Sequence, residues 1–253
     1  MEENRIENAE VIENITVNNS NKNQAQIAGA IIIAGIIIAG AVLLKGGSST
    51  LVSPDGKKLL TNATVFNQCL DSGKYAKAVA DSTASGSSAG VTGTPKGFIL
   101  ADGKVVATID GAEPLVTVTQ KIDTALAGNG KVIANIKLDP ISSSDFALGN
   151  PQAKVALILY ADFQCPFCGK FFKETEQSIQ DNYVKDGKVQ LVYRDFAFLG
   201  PESEKSAEAA RCAGEQNKFW EYHDYLFTHQ KGENQGNFSD LYLKSFAGEL
   251  KLK

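Results

Sequence analysis

The chain has 253 residues, 43% of them hydrophobic and 21% charged, the mixture of a globular protein with one well-cored domain and appendages, so disorder is confined to segments. Its formal net charge is −4. Residues 1–26 supply most of this through five Glu against Arg5 and Lys22, and the rest of the chain has no basic face suited to nucleic acid.

Residues 1–26 read as a polar, acidic tail. Ile27 to Leu44 follows as an uncharged run of 18 residues between Lys22 and Lys45, just long enough to span a bilayer core. A cleaved signal peptide would begin with a short basic segment and end at a small-x-small site. The long acidic lead-in and the sequence after Leu44 fit neither, which favours an uncleaved anchor over residues 27–45. Arg5 and Lys22 before the span and Lys45, Lys57 and Lys58 after it leave orientation open. Ala30 with Ala34 and Gly35 with Ala39 have small-xxx-small spacing, but small residues are common in spans and oligomeric state stays open. Residues 46–60, beginning Gly-Gly-Ser-Ser-Thr, read as a flexible tether.

An α/β pattern then begins. Strands are predicted at Lys96 to Leu100 and Val105 to Asp110 about the turn Ala101-Asp102-Gly103, and a helix from Pro114 to Leu126 ending at Gly128. Further strands are expected near Val132 to Leu138, at Val155 to Ala161 and at Lys188 to Asp195. Helical sequence covers Glu202 to Gln216, Lys218 to His229 and Phe238 to Leu250.

The apolar run at 155–161 leads directly into Asp162-Phe163-Gln164-Cys165-Pro166-Phe167-Cys168 and an amphipathic stretch. Two sulfurs two residues apart in a helix's first turn can close a small disulfide, and the unpaired N–H groups of that turn stabilise a thiolate at Cys165. Pro166 suits a first-turn position, where its missing N–H is not needed. Zinc ribbons need a second such pair, whereas Cys69 and Cys212 are isolated, so no metal or other cofactor is expected.

The segments Asp162 to Cys168, Leu191-Val192-Tyr193-Arg194-Asp195-Phe196, Ala210-Arg211-Cys212-Ala213 and Phe219 to Phe227 resemble the first part of the DsbA-like thioredoxin-fold family. Residues 66–126, including Phe66-Asn67-Gln68-Cys69 and Gly93-Thr94-Pro95, resemble its last part. The order is reversed. The resemblance implies an α/β thioredoxin-like fold with a helical insertion, circularly permuted, over residues 61–253: the family's C-terminal part at 61–128 and its N-terminal part at 129–253. The old ends would be fused through 127–136, with the new ends cut inside the insertion near Leu60 and Lys253. A chimeric reading frame or halves exchanged between chains would give the same order.

The same resemblance implies site roles. Cys165 would be the exposed, attacked or attacking sulfur and Cys168 its ring-closing partner, with Pro166 and Phe167 tuning the thiolate. Thr94-Pro95 would carry the family's cis proline and offer backbone to a substrate strand. Cys69 and Cys212 would form a second, structural disulfide, the alternative being two buried free thiols. Leu159 stands where such folds often hold a buried carboxylate, six residues before the first cysteine. Asp162 is then the nearest proton acceptor for Cys168, or else a helix-entry residue accepting backbone N–H bonds. Phe167 replaces the His often present in strongly oxidising relatives, which leaves the potential open.

His223 and His229 are the only histidines. His223, among Trp220, Tyr222 and Phe227, reads as a packed core residue rather than a base for Cys165. The expected function is a membrane-anchored protein thiol:disulfide oxidoreductase, oxidase, reductase or isomerase. It would exchange disulfides with protein substrates outside the cytoplasm and be recycled by a DsbB- or VKOR-like membrane partner or a thiol reductant. The alternative is a peptide-binding module or holdase whose disulfide does not turn over. Four cysteines, including a pair placed to cycle, place the globular part outside the cell membrane and the tail inside.

Overall fold

The computed structural model describes Leu51–Val52, Lys58–Leu59 and residues 63–253. The tail at 1–26 and the anchor at 27–45 lie outside the described residues, among which no helix is long and apolar enough to cross a membrane. Strand β1 (Leu51–Val52) pairs antiparallel with β2 (Lys58–Leu59), Leu51 opposite Leu59. The expected tether therefore contains a short ladder, and the Ser-Pro-Asp-Gly sequence between its strands is made of turn residues.

Residues 63–253 are built on a five-stranded sheet of order β4-β3-β6-β7-β5. Strand β6 (Val155–Ala161) lies at its centre, antiparallel to β3 (Lys96–Ala101) and parallel to β7 (Val189–Asp195). Strand β4 (Lys104–Asp110) pairs antiparallel with β3 through Asp102 and Gly103. Both take positive φ, which an Asp-Gly turn accommodates. Side chains alternate along each strand. Leu157, Leu159, Leu191, Tyr193 and Ile99 enter one core, and Ile158, Tyr160, Val192 and Phe98 a second core on the opposite face.

The larger core is covered by α3 (Leu115–Leu126) and by a helix, α4, that starts at Pro166–Phe171 and continues to residue 184 through two π-helical turns, Phe172–Glu176 and Gln180–Val184. The helices α1 (Thr64–Asp71), α5 (Pro201–Gly214), α6 (Phe219–Thr228) and α7 (Asp240–Glu249) contribute to the same core. On the other face, α2 (Ala76–Ser88) approaches so closely that a Cβ on Gly86 would lie 2.8 Å from Phe196 and 2.9 Å from Tyr160.

The strand expected near Val132 to Leu138 does not form. Ile136, Leu138 and Ile141 instead pack as irregular chain onto the second core. The carbonyls of Asp139 and Pro140 accept hydrogen bonds at 3.0 Å from the Arg194 guanidinium, which also grips the Asp145 carboxylate. This clamp delivers the chain to β5 (Phe146–Leu148), which takes the edge beside β7.

Segment 250–253 returns to the start of α1. The Phe66 N–H donates to the Lys253 carbonyl at 2.6 Å, and Gln216 bonds both the N–H and the carbonyl of Lys253. Nearby, Cys69 on α1 and Cys212 on α5 are joined by a disulfide, Cα atoms 5.9 Å apart across a sequence separation of 143. Lys74 and Tyr75 reinforce this junction through the Glu215 carboxylate.

Candidate active site

The central strand β6 ends at Ala161, and the turn Asp162-Phe163-Gln164 brings the chain to Cys165, the N-cap of α4, with φ −67° and ψ 120°. Pro166 occupies the first turn. A cap residue outside the helix points its side chain back at the N–H groups of the second and third helical residues, and here these belong to Phe167 and Cys168. The Cys165 sulfur makes no cap hydrogen bond of its own, but the N–H groups of Phe167 and Cys168 favour a negative charge on it.

Cys165 is not exposed as expected: both thiols are buried, Cys165 with the Thr94 carbonyl 3.4 Å from its sulfur, and their surroundings drive them in opposite directions. The Cys165 pKa falls to about 6. The largest cause is the hydrogen bond from the Cys168 thiol; burial opposes the shift, and the Thr94 side chain and the N–H groups of Cys168 and Phe167 add to it. Burial, first, and the neighbouring Cys165, second, hold the Cys168 thiol well above its ordinary range. At pH 7 a group with a pKa of about 6 is roughly 90% ionised, against about 3% for an unperturbed cysteine. Of the two thiols, Cys165 is the one whose surroundings favour the thiolate, and Cys168 the one whose burial favours the protonated form.

Thr94 and Pro95 stand against this pair from the loop before β3, joined by a cis peptide bond. The Thr94 carbonyl is 3.4 Å from Cys165 Sγ. Its hydroxyl is buried without a hydrogen-bond partner, and the Thr94 side chain lowers the pKa of both cysteines. Phe167 is 63% exposed beside Cys165, and Phe198 is 47% exposed on the loop after β7.

Of the two readings of Asp162, the structure shows a carboxylate fully engaged by donors. Oδ1 accepts from the Gln164 N–H (2.8 Å) and the Ser203 hydroxyl (2.7 Å), and Oδ2 from the N–H groups of Phe198 (3.0 Å) and Leu199 (3.3 Å). It fastens the loop after β7 to the entrance of α4. Gln164, buried beneath, extends the knot through Ser203 and Asn234. Gln230, which follows α6, donates to the carbonyls of Phe163 (2.6 Å) and Cys165 (3.0 Å).

His223 lies apart from the thiols in an aromatic cage of Phe163, Phe172, Tyr193, Trp220 and Phe227. Its Nδ1 is 2.9 Å from an Asp224 carboxylate oxygen, while its buried Nε2 has no hydrogen-bond partner and sits 3.7 Å from the buried Glu176. Burial raises the Glu176 pKa, against the opposing influence of His223 and Gln180. Sequence reasoning missed Glu176 and Gln230. Glu176 had a signal, because its spacing of four from Phe172 and three from Ile179 sets a charge on the apolar face of α4. Gln230, in a polar run without periodicity, had none.

Residues 142–251 match the family model described as Thioredoxin. A Bacillus cereus protein named probable disulfide bond formation protein D is 30% identical over 95 residues, covering 37% of this chain and 44% of that protein. A Rickettsia bellii protein named putative protein-disulfide oxidoreductase is 28% identical over 90 residues, covering 36% and 34%. The chain thus spans less than half the length of these curated relatives, and only 16% of a Salinispora tropica Na(+)/H(+) antiporter, NhaA 3, to which it is 34% identical over 108 residues. Among solved structures, Wolbachia pipientis α-DsbA1 aligns with a TM-score of 0.40 at 28% identity, over 45% of this chain and 57% of that one.

Proposed function

We propose that the chain is a DsbA-like thioredoxin-fold protein, a membrane-anchored protein thiol:disulfide oxidoreductase acting outside the cytoplasm through Cys165 and Cys168. The observation that carries this reading is the placement of two free thiols at the first turn of α4 with the Thr94 carbonyl 3.4 Å from Cys165 Sγ, in surroundings that lower the Cys165 pKa and raise that of Cys168. A purely structural disulfide has no need of that asymmetry. In the reducing direction the Cys165 thiolate attacks a substrate disulfide, expelling one substrate sulfur as a thiolate. Cys168 then loses its proton and attacks Cys165 Sγ, which releases the second substrate thiolate and leaves the Cys165–Cys168 disulfide. Oxidation of a substrate dithiol is the reverse. A DsbB- or VKOR-like membrane protein or a thiol reductant would reset the pair.

The chain order is read as a circular permutation of the family. Lys253 holds the Phe66 N–H as it would in a helix running 253, 63, 64, 65, 66, where it would stand four positions before Phe66. The hairpin β3–β4, which completes the sheet, precedes the segment that the family model matches. The uncharged run at 27–44 supports the anchor, and the Cys69–Cys212 pair suits an oxidising compartment.

The test is turnover. Oxidised protein should form disulfides in a reduced test protein, Cys165→Ser should abolish this, and Cys168→Ser should accumulate mixed disulfides visible on non-reducing gels. Full thiol removal by Cys165→Ser would overturn the reading, as would a wild-type protein that binds unfolded chains without changing their thiol count. Protease shaving of intact cells tests the location: the globular part should be digested, and its protection would reverse the orientation.

A further inference from the structure

The groups that favour a charge on the Cys165 sulfur, namely the Cys168 thiol, the Thr94 side chain and the N–H groups of Cys168 and Phe167, all converge on one position at the entrance of α4, where Cys165 has a ψ of 120° outside the helix. Within α4 the Cys165 carbonyl accepts the Gly169 N–H at 3.1 Å, an ordinary first-turn bond. Gln230 adds what the helix lacks. Its amide nitrogen has two hydrogens and meets two carbonyls, those of Phe163 and Cys165, one on each side of the turn that carries the sulfur. The fit reaches α4 itself, because a Cβ on Gly169 would lie 2.4 Å from Gln230 Oε1. Residue 169 must be glycine for the amide to sit where it does.

We propose that Gln230 is a positioning residue for Cys165: its side-chain amide clamps the Phe163 and Cys165 carbonyls and so holds the sulfur in place at the entrance of α4, with Gly169 providing the space. The amide also opposes the negative ends of two carbonyl dipoles beside the developing thiolate. The loop presenting Gln230 is itself fixed, with the N–H groups of Gly236 and Phe238 bound to the Glu202 carboxylate and the Asn234 amide to the Leu199 carbonyl. The titratable groups around the cap are Cys168, which donates to Cys165, and Asp162, whose carboxylate is turned to Gln164, Phe198, Leu199 and Ser203. Neither replaces the clamp.

The inference rests on Cys165 being the reactive thiol, and its test reads that thiol without a substrate. Thiolate absorbance and the iodoacetamide rate are followed against pH for the wild type, Gln230→Ala, Gly169→Ala and the double variant. The Cys165 midpoint should rise by about one pH unit in Gln230→Ala, slowing alkylation at pH 6 about fivefold. Gly169→Ala should do the same although alanine favours the helix, since it displaces only the end of a flexible side chain. The double variant should shift no further than either single one. An unmoved midpoint in Gln230→Ala, or fully additive shifts, overturns the clamp. A wild-type protein that shows these midpoints but turns over no substrate counts against the proposed activity and leaves the clamp standing.

Discussion

Removing the Cys69–Cys212 disulfide should cost this domain a large part of its stability. The bond closes a loop of 143 residues. In the chain-entropy model that restricts the unfolded state by about 17 cal/mol/K, or about 5 kcal/mol at 25 °C. Were residue 253 joined directly to 63, the shorter route between the same sulfurs would hold about 48 residues and the bond would contribute about 4 kcal/mol. The observed chain order therefore makes the crosslink worth about 1 kcal/mol more. Domains of this size hold about 5–15 kcal/mol in all, and each kcal/mol moves their melting point by about 2–4 °C. Cys69→Ala/Cys212→Ala should accordingly melt about 10–20 °C lower and show a steeper urea dependence, because its unfolded chain expands further. The double variant avoids a stray thiol that could attack Cys165. A fall of less than about 3 °C with an unchanged urea slope would refute the entropic reasoning.

Thr94→Val, nearly isosteric, should raise the Cys165 midpoint by about one unit in pH-resolved alkylation, the effect of one hydrogen bond to a charged group; an unchanged midpoint would mean the hydroxyl does not serve the sulfur. Because folding lowers the Cys165 pKa to about 6, the unfolded dithiol chain binds more protons between there and the ordinary thiol range. Stability of the reduced protein should rise with pH across that window and be lost as pH falls through about 6. Urea unfolding of Cys165→Ser should lack that slope. Glu176 has the opposite sign: its folded pKa is raised, so its burial is tolerated at low pH and destabilising once the carboxyl ionises. Glu176→Gln keeps the acceptor for Gln180 and can donate to His223 Nε2, and should gain about 1 kcal/mol at pH 8 in urea titrations, with little change at pH 4.

The sheet centre and the redox pair were legible because each is written in adjacent residues. An apolar run followed by Cys-Pro-Phe-Cys dictates strand, cap and first turn, and Asp102-Gly103 dictates the hairpin. The edge strand was not legible. Residues 132–138 and 146–148 are both short apolar segments, and which of them pairs with β7 is decided by Arg194, far along the chain, gripping Asp139, Pro140 and Asp145. Asp162 had two readings in sequence, since only the folded loop shows four donors converging on it. Periodicity can place Glu176 on a buried face but cannot reveal that His223 waits there. Gln230 acts through its side-chain amide on backbone carbonyls of residues 163 and 165, a contact with no sequence signature.

The position of the Cys69–Cys212 bond also has a mechanical meaning. It converts the chain from 69 to 212 into a closed covalent ring that contains all five strands of the main sheet, Thr94, and both thiols of the redox pair. A pull applied between residues 63 and 253 enters at Cys69, crosses to Cys212 and leaves through α6 and α7, so the ring carries none of the tension. The redox site sits in the unloaded part of the molecule. One protease cut within the ring opens it without releasing a fragment, and the pieces part only when a reductant cleaves the bond.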